Sequence, residues 1–393
     1  MYTHNSTKII LVFLTGFALV TVGILIWWNL EDDTRLSGQL IGVDSGSQEI
    51  PAGFTRATRV IPLDFPETYG PHPDYRTEWW YYTGNLETAG GRHFGYQLTF
   101  FRQALIPEEA RPDSPSDWRT SQLFFAHFTL TDVAGEQFTF RERFSRGGIG
   151  LAGAQTTPYR VWLEDWEVRK EDDNVYQLSA REGEIALSLT LVDEKGPVLQ
   201  GVDGFSQKGP DPGDASYYYS QPRLRSNGTV AIGEAQYLVE GWSWKDHEFS
   251  TSVLSEEQVG WDWFSFQLDD GTDLMLYYFR REDGSIDPFS SGTLISPDGE
   301  TRLLAPEDFN ITVLDTWESP HSGAEYPAEW QIAIPQEDLE LTATPYLRDQ
   351  ELLVTVIYWE GAVQVAGTHA GQPVMGSGYV ELTGYAQDMR GWL

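Results

Sequence analysis

The chain has 393 residues, no cysteine and 15 tryptophans, and its 59 acidic against 26 basic residues give a formal net charge of -33. A field of that sign opposes binding to phosphate backbones, so nucleic acid is excluded as a partner; the lack of thiols excludes disulfide frameworks, thiolate zinc centres, iron–sulfur clusters and cysteine nucleophiles. Aromatic and hydrophobic fractions of 14% and 40% suffice to bury a core, which separates this sequence from disordered acidic chains, and the length suggests two domains.

The run from Ile9 to Trp28 carries no charge, and at a helical rise it matches the ~30 Å apolar thickness of a bilayer. Lys8 precedes it and Glu31, Asp32 and Asp33 follow it, so the positive-inside rule places the N-terminus in the cytoplasm and the rest of the chain outside, with a cleaved signal peptide as the alternative. We therefore expect a signal anchor over 1–30 in the inner membrane, single-pass, with periplasmic domains. Residues 31–58, rich in Gly, Ser, Asp and Gln, read as a tether.

Beyond the tether the pattern is β. The runs 79-WWYYTGNL-86, 94-FGYQLTFF-101, 123-LFFAHFTL-130, 263-WFSFQL-268, 274-LMLYYF-279 and 352-LLVTVIYW-359 are short, aromatic and β-branched, as strands are. Gly90-Gly91, Asn227-Gly228, Asp270-Gly271, Asp283-Gly284 and Asp298-Gly299 supply the positive φ angles of tight turns. Such a series means an antiparallel sandwich or barrel. Trp80 opens an aromatic hairpin that ends at Phe101-Arg102, and Trp263 opens a similar one that ends at Phe279-Arg280, which implies two similar β-domains. The polar stretch 220–234 places their boundary near Tyr237, giving domains of 59–236 and 237–393, and the Pro-rich 107–117 reads as an insertion loop.

Two clusters could carry chemistry. The segment 241-GWSWKDHEFS-250 sets Asp246 and His247 among Trp242 and Trp244, with Trp261 and Trp263 following, and a buried carboxyl there would gain a raised pKa suited to proton donation. The alternative is that Asp246 and His247 satisfy backbone groups while the tryptophans fill a core. In 72-HPDYRTEWWYYTG-84, period-2 alternation puts Glu78, Trp80 and Tyr82 on one face and Trp79, Tyr81 and Thr83 on the other. Facing a cavity, Glu78 is a ligand-orienting or catalytic group; facing outward, it is the partner of an arginine. His127 reads as a hydrogen-bonded core histidine or a ligand-binding one, and Tyr218 as part of a pocket wall or a strand edge. Gly148, Gly150 and Gly153 fit G-x-G-x-x-G formally, but without a βαβ context they form a turn. No G-x-S-x-G, Walker A, H-E-x-x-H or EF-hand loop occurs, and seven dispersed histidines form no recognisable metal site, so neither cofactor nor metal is expected.

The strings 76-RTEWWYYTGNL-86, 147-GGIGLAGA-154, 161-VWLEDWEV-168, 216-SYYYSQPRL-224, 241-GWSWKDHEFS-250, 260-GWDWFSFQLDDG-271 and 376-GSGYVELTGY-385 resemble the AttH-like, carotenoid 1,2-hydratase-like family over roughly residues 60–390. The resemblance implies two lipocalin-like antiparallel β-barrels packed together. It further implies relatives that hydrate isoprenoid double bonds or fold polyenes, and bacterial members that serve ABC transporters. Two positions depart from the hydratases: Phe249 stands where they carry Trp, and Tyr278 stands where they place a carboxylate. A phenol with a pKa near 10 does not readily protonate an alkene, which leaves Asp246 or Glu78 as substitute acids.

Two functions follow as expectations. The first is a membrane-anchored protein that binds an apolar or amphiphilic molecule, lipid or isoprenoid-like, and hands it to an ABC transporter permease. The second is an acid-catalysed hydratase, isomerase or cyclase in which Asp246, His247 and Glu78 converge on one apolar cavity lined by Trp80, Tyr82, His127, Tyr218, Trp242, Trp244, Trp261, Trp263 and Tyr278.

Overall fold

The computed structural model describes residues 52–110, 120–252, 254–255 and 257–390. The membrane helix expected at 9–28, most of the tether and most of the Pro-rich loop lie outside the described residues, among which no helix is long and apolar enough to cross a membrane.

The chain is all-β, as its alternation and turn chemistry predict. The first sheet contains β1 (Thr77–Glu87), β2 (His93–Ala104), β3 (Gln122–Asp132), β4 (Gln137–Arg146), β5 (Ala152–Gln155), β6 (Arg160–Leu163), β7 (Trp166–Asp172), β8 (Val175–Glu182), β9 (Ile185–Asp193), β10 (Val198–Leu199), β11 (Phe205–Gln207), β12 (Ala215–Ile232) and β13 (Ala235–Ser250). The second contains β14 (Gln258–Leu268), β15 (Asp273–Arg281), β16 (Ser291–Ile295), β17 (Thr301–Leu304), β18 (Asn310–Glu318), β19 (Glu325–Ile334), β20 (Leu339–Pro345), β21 (Glu351–Leu352), β22 (Tyr358–His369) and β23 (Gln372–Leu382). Every pairing is antiparallel, and the two curled sheets form a barrel and a half-barrel.

The internal echo is a topological repeat. The first sheet runs β4-β3-β2-β1-β13-β12-β9-β8-β7-β6-β5, and the second runs β17-β16-β15-β14-β23-β22-β20-β19-β18, matching it up to β7. In each, the opening strand pairs with both its successor and the last strand of the unit, so β1 corresponds to β14 and β13 to β23.

The change of sheet falls after Ser250 and not near Tyr237. The polar stretch 220–234 is the long arm of the β12–β13 hairpin, which turns at Gly233 with φ 58°. Asn227-Gly228 accordingly lies mid-strand and is not a turn. A Cβ on Gly228 would sit 2.0 Å from the Ser188 carbonyl oxygen, so close approach of β9 is what requires glycine there. The run 352–359 is also not one strand: β21 ends at Leu352 and β22 begins at Tyr358, with 353–357 crossing between them.

Alternation decides which side chains meet. Glu78, Trp80 and Tyr82 of β1 point into the interior of the first sheet, which is filled by Trp80, Tyr82, Tyr96, Trp166, Tyr176 and Tyr219. The second sheet closes similarly over Trp330, Trp359 and Phe264. Trp79 and Tyr81 point the other way, into a third cluster with Tyr218, Trp244, Trp263 and Tyr277 that lies between the two sheets. Burial on both faces explains why β1 reads as unbroken aromatics. Gly95 sets the approach of the sheets: a Cβ there would lie 2.5 Å from that of Ala362. Asn85 Nδ2 donates to the Gly378 carbonyl at 2.9 Å across the same seam.

Candidate functional site: a cavity between the two sheets

A cavity of about 110 Å³ opens in the third cluster. Its wall is chiefly aromatic, with Trp79, Phe101 and Phe125 from the first sheet and Trp261, Trp263 and Phe279 from the second. Polar groups punctuate it at a few points, the composition expected of a small-molecule site.

Asp246 supplies the first of these. Its strand partner in β12 is Ser220, whose Oγ donates to Oδ1 at 2.5 Å; Trp244 Nε1 donates to Oδ1 at 2.7 Å and Tyr218 Oη to Oδ2 at 2.6 Å. Trp263 Nε1 in turn donates to Tyr218 Oη at 3.2 Å. No cation pairs with Asp246 among the described residues, so burial pushes its carboxyl up to about 7, the three donors restraining the rise. Two residues along, Glu248 faces the same cavity and pairs with Lys208 at 2.6 Å.

The second sheet contributes its own carboxyl from the corresponding strand. Glu381 of β23 lines the cavity, accepts a hydrogen bond from Trp261 Nε1 at 2.5 Å, and is pushed by burial up to about 7. Its cross-strand neighbour is Glu360 of β22, which accepts from Tyr81 Oη at 2.6 Å. Elsewhere on the wall, Gln97 Nε2 donates to Tyr358 Oη at 3.2 Å, Tyr358 donates to His127 Nδ1 at 2.7 Å, and His127 Nε2–H reaches Glu142 at 3.1 Å. This chain of partners assigns the tautomer of His127. Thr355 Oγ1 also donates to Glu142, which ties the 353–357 crossing to the rim.

The expected trio does not converge. Asp246 and His247 are adjacent on β13, and neighbours on a strand face opposite ways. His247 lies inside the first sheet, stacked on Trp80 with ring centroids 4.9 Å apart, and its Nε2 meets Glu78 Oε1 at 2.9 Å. Glu78 also accepts from His72 Nδ1 at 2.8 Å and from Arg102 Nε at 2.8 Å. Burial alone would raise this carboxyl, but Arg102 and the two imidazoles hold it well below the usual carboxylate range. Burial draws His247 down to about 3, opposed by Glu78. His72, Glu78 and His247 are the one group of three possible metal ligands among the described residues. Both imidazoles and Arg102 already converge on the same carboxylate, so the group closes on itself as an ion-paired anchor between the loop before β1 and the sheet interior.

Of the other candidates, His127, Tyr218, Trp261 and Trp263 line the cavity and Trp244 stands directly behind Asp246. Trp80 and Tyr82 are interior; Tyr82 Oη bonds Tyr159 Oη at 2.8 Å. Trp242 sits outside the cavity with the Arg223 guanidinium 5.2 Å from its ring centroid. Tyr278 faces the interior of the second sheet, 5.1 Å from the Phe309 ring, so the cavity-facing residues of β15 are Tyr277 and Phe279. The inner-face reading of β15 removes Tyr278 as a replacement for a catalytic acid in this cavity. Sequence reasoning passed over Glu381, Glu360, Tyr81, Tyr358 and Lys208. Alternation does set Tyr81 beside Trp79 on one face of β1, but nothing local tells which outer face meets a second sheet.

A two-sheet all-β protein with a carboxyl-bearing aromatic cavity at the seam is the class these features define. The chain belongs to the AttH-like family, whose profile matches residues 56–385. It is similar to the crystal structure of a putative AttH from Nitrosomonas europaea, at 37% identity over 84% of this chain and 100% of that one, with a TM-score of 0.75. It shares its fold with kievitone hydratase from Nectria haematococca, at 15% identity over 85% of this chain and 96% of that one, with a TM-score of 0.63. It also shares its fold with CghA bound to Sch210972, at 13% identity over 86% and 97%, with a TM-score of 0.52. No curated protein matches the chain.

Proposed function

We propose that the cavity between the sheets binds an apolar, unsaturated small molecule, and that its carboxyls move protons to and from the carbon skeleton in a hydration, dehydration or isomerisation of a double bond. One observation carries this reading: Asp246 and Glu381, from corresponding strands of the repeat, both open onto the wall of a single aromatic cavity, where burial pushes each carboxyl up to about 7. General acids and bases work best with a pKa near the working pH, and a pair of such groups can give a proton at one end and take one at the other.

The cavity-facing residues have roles to match. Glu381 donates to an alkene carbon; the faces of Trp261 and Trp263 stabilise the cation that forms; and water adding to the cation loses its proton to Asp246. Tyr218, held between Trp263 and Asp246, orients the oxygen. Kievitone hydratase is a hydratase by name on the same fold, which accords with this reading without carrying it. The anchor expected at 9–28 would hold the cavity beside the membrane, where apolar substrates partition.

The test is to incubate the full-length protein in deuterium oxide with a panel of isoprenoids and prenylated phenols. Mass spectrometry then reads carbon-bound deuterium or the gain of one water. Turnover should fall about 10²–10⁴-fold in D246N and E381Q, the range for loss of a general acid or base. Tight binding by all three proteins with no turnover by any would leave a carrier and refute the enzyme.

A further inference from the structure

We infer that Glu360 and Glu381 act as one carboxyl dyad, in which Glu360 stays protonated and donates its hydrogen bond to Glu381, the member that opens onto the cavity. The proposal assigns Glu360 as a positioning residue, and its catalytic meaning rests on the reading above.

Register comes first. Glu360 of β22 and Glu381 of β23 are directly opposite across an antiparallel pair, so their side chains share one face with Cβ atoms about 5 Å apart. In that register the two carboxyls stand side by side, close enough to act on each other. Two carboxylates would offer each other only acceptors, so a hydrogen bond between them requires that one carry a proton.

The surroundings decide which. Glu360 has no exposed surface at all, whereas Glu381 is only half-buried because it borders the cavity. Oε1 of Glu360 accepts from Tyr81, while its Oε2 is buried and meets no donor. Ionised, that oxygen would be an unpaired charge in an apolar core. Protonated, it becomes a donor beside a carboxyl that needs one. Glu381 already accepts from Trp261, so it is the acceptor on both counts. No cation forms an ion pair with either glutamate among the described residues. The other titratable groups bearing on the pair are Tyr81, Tyr358 and Tyr379 around Glu360, and Glu248 toward Glu381. Burial and the neighbouring Glu381 hold Glu360 well above the usual carboxyl range.

This arrangement serves proton donation. When the Glu381 O–H bond breaks and the new C–H bond forms on the alkene, the electron pair left on Glu381 meets the standing hydrogen bond from Glu360. The dyad then carries one negative charge and not two. Glu381 recovers its proton from solvent once the product leaves, in balance with the proton that Asp246 releases.

The dyad is tested without any substrate. Infrared difference spectra between wild type and E360Q, on full-length protein labelled with carbon-13 glutamate, read the carbonyl stretch of protonated carboxylic acids. At about pH 8, above the titration of Glu381, wild type should keep one such band. E360Q should abolish it, E381Q should shift it while keeping it, and D246N should leave it unchanged. A wild-type spectrum with no protonated glutamate at that pH, or a band that survives E360Q, would overturn the dyad. The two readings fail separately: turnover with no band sinks the dyad alone, and a band with no turnover sinks the catalytic role alone.

Discussion

Asp246→Asn should make the protein more stable at alkaline pH while disabling it. The Asp246 carboxyl titrates near 3.9 in an unfolded chain and near 7 in the fold. A carboxyl with a raised folded pKa contributes stability that is fully present below about pH 4 and is lost as the pH rises through 7. Three pH units at about 1.4 kcal/mol each make the ionised side chain cost about 4 kcal/mol above neutrality. Asparagine is the nearest isostere of the neutral acid. Its oxygen can keep the donors from Ser220 and Trp244, while its amide faces Tyr218 and must turn that hydroxyl around. Discounting for that rearrangement, we expect D246N to exceed wild type by about 2–4 kcal/mol near pH 8 and to match it near pH 4. Urea denaturation at a series of pH values reads both. A variant that is less stable than wild type near pH 8, with the wild-type pH dependence intact, would show that Asp246 is an ordinary ionised structural carboxylate.

The interior cluster predicts the opposite sign. His247 has a folded pKa near 3 against about 6.5 unfolded, so its contribution is complete above pH 6.5 and drains away toward pH 3, and Glu78 adds to the loss below about pH 4. This loss opposes the gain from Asp246 on acidification, and His247→Phe should remove it, so that the variant's stability relative to wild type rises as the pH falls from about 6.5 to about 4 in the same titration. Arg102→Met strands the buried Glu78 charge and should cost about 3–5 kcal/mol in chemical denaturation. Gly95→Val forces apart the sheets at Ala362; a loss of about 1–3 kcal/mol together with weaker retention of apolar ligand is expected, and unchanged stability would show that the seam yields.

Much of this fold is legible before any coordinates. Aromatic and β-branched runs locate β1, β2, β3, β14 and β15, and four of the five expected turn pairs carry a positive-φ glycine at a strand end. The misreadings have specific causes. Asn227-Gly228 has turn composition, but its glycine is there because β9 passes too close for a side chain. The polar 220–234 resembles a linker because it lies on the exposed arm of a long hairpin, where one face of the sheet meets water. Strict alternation already forbids Asp246 and His247 from sharing a face, so the sequence itself argues against the expected trio. Glu360 and Glu381 are different: their pairing depends on β22 and β23 forming a hairpin in one register, and their burial depends on Tyr81 arriving from the other sheet. A local pattern records neither.

The central claim is that ligand chemistry belongs to the seam between the sheets and not to the barrel interiors. A crystal structure of the protein soaked with geraniol tests it most directly. The account predicts density against Trp261 and Trp263, with the hydroxyl within hydrogen-bond reach of Tyr218 or Glu381. Density inside the first sheet, beside Trp80 and His247, would contradict it.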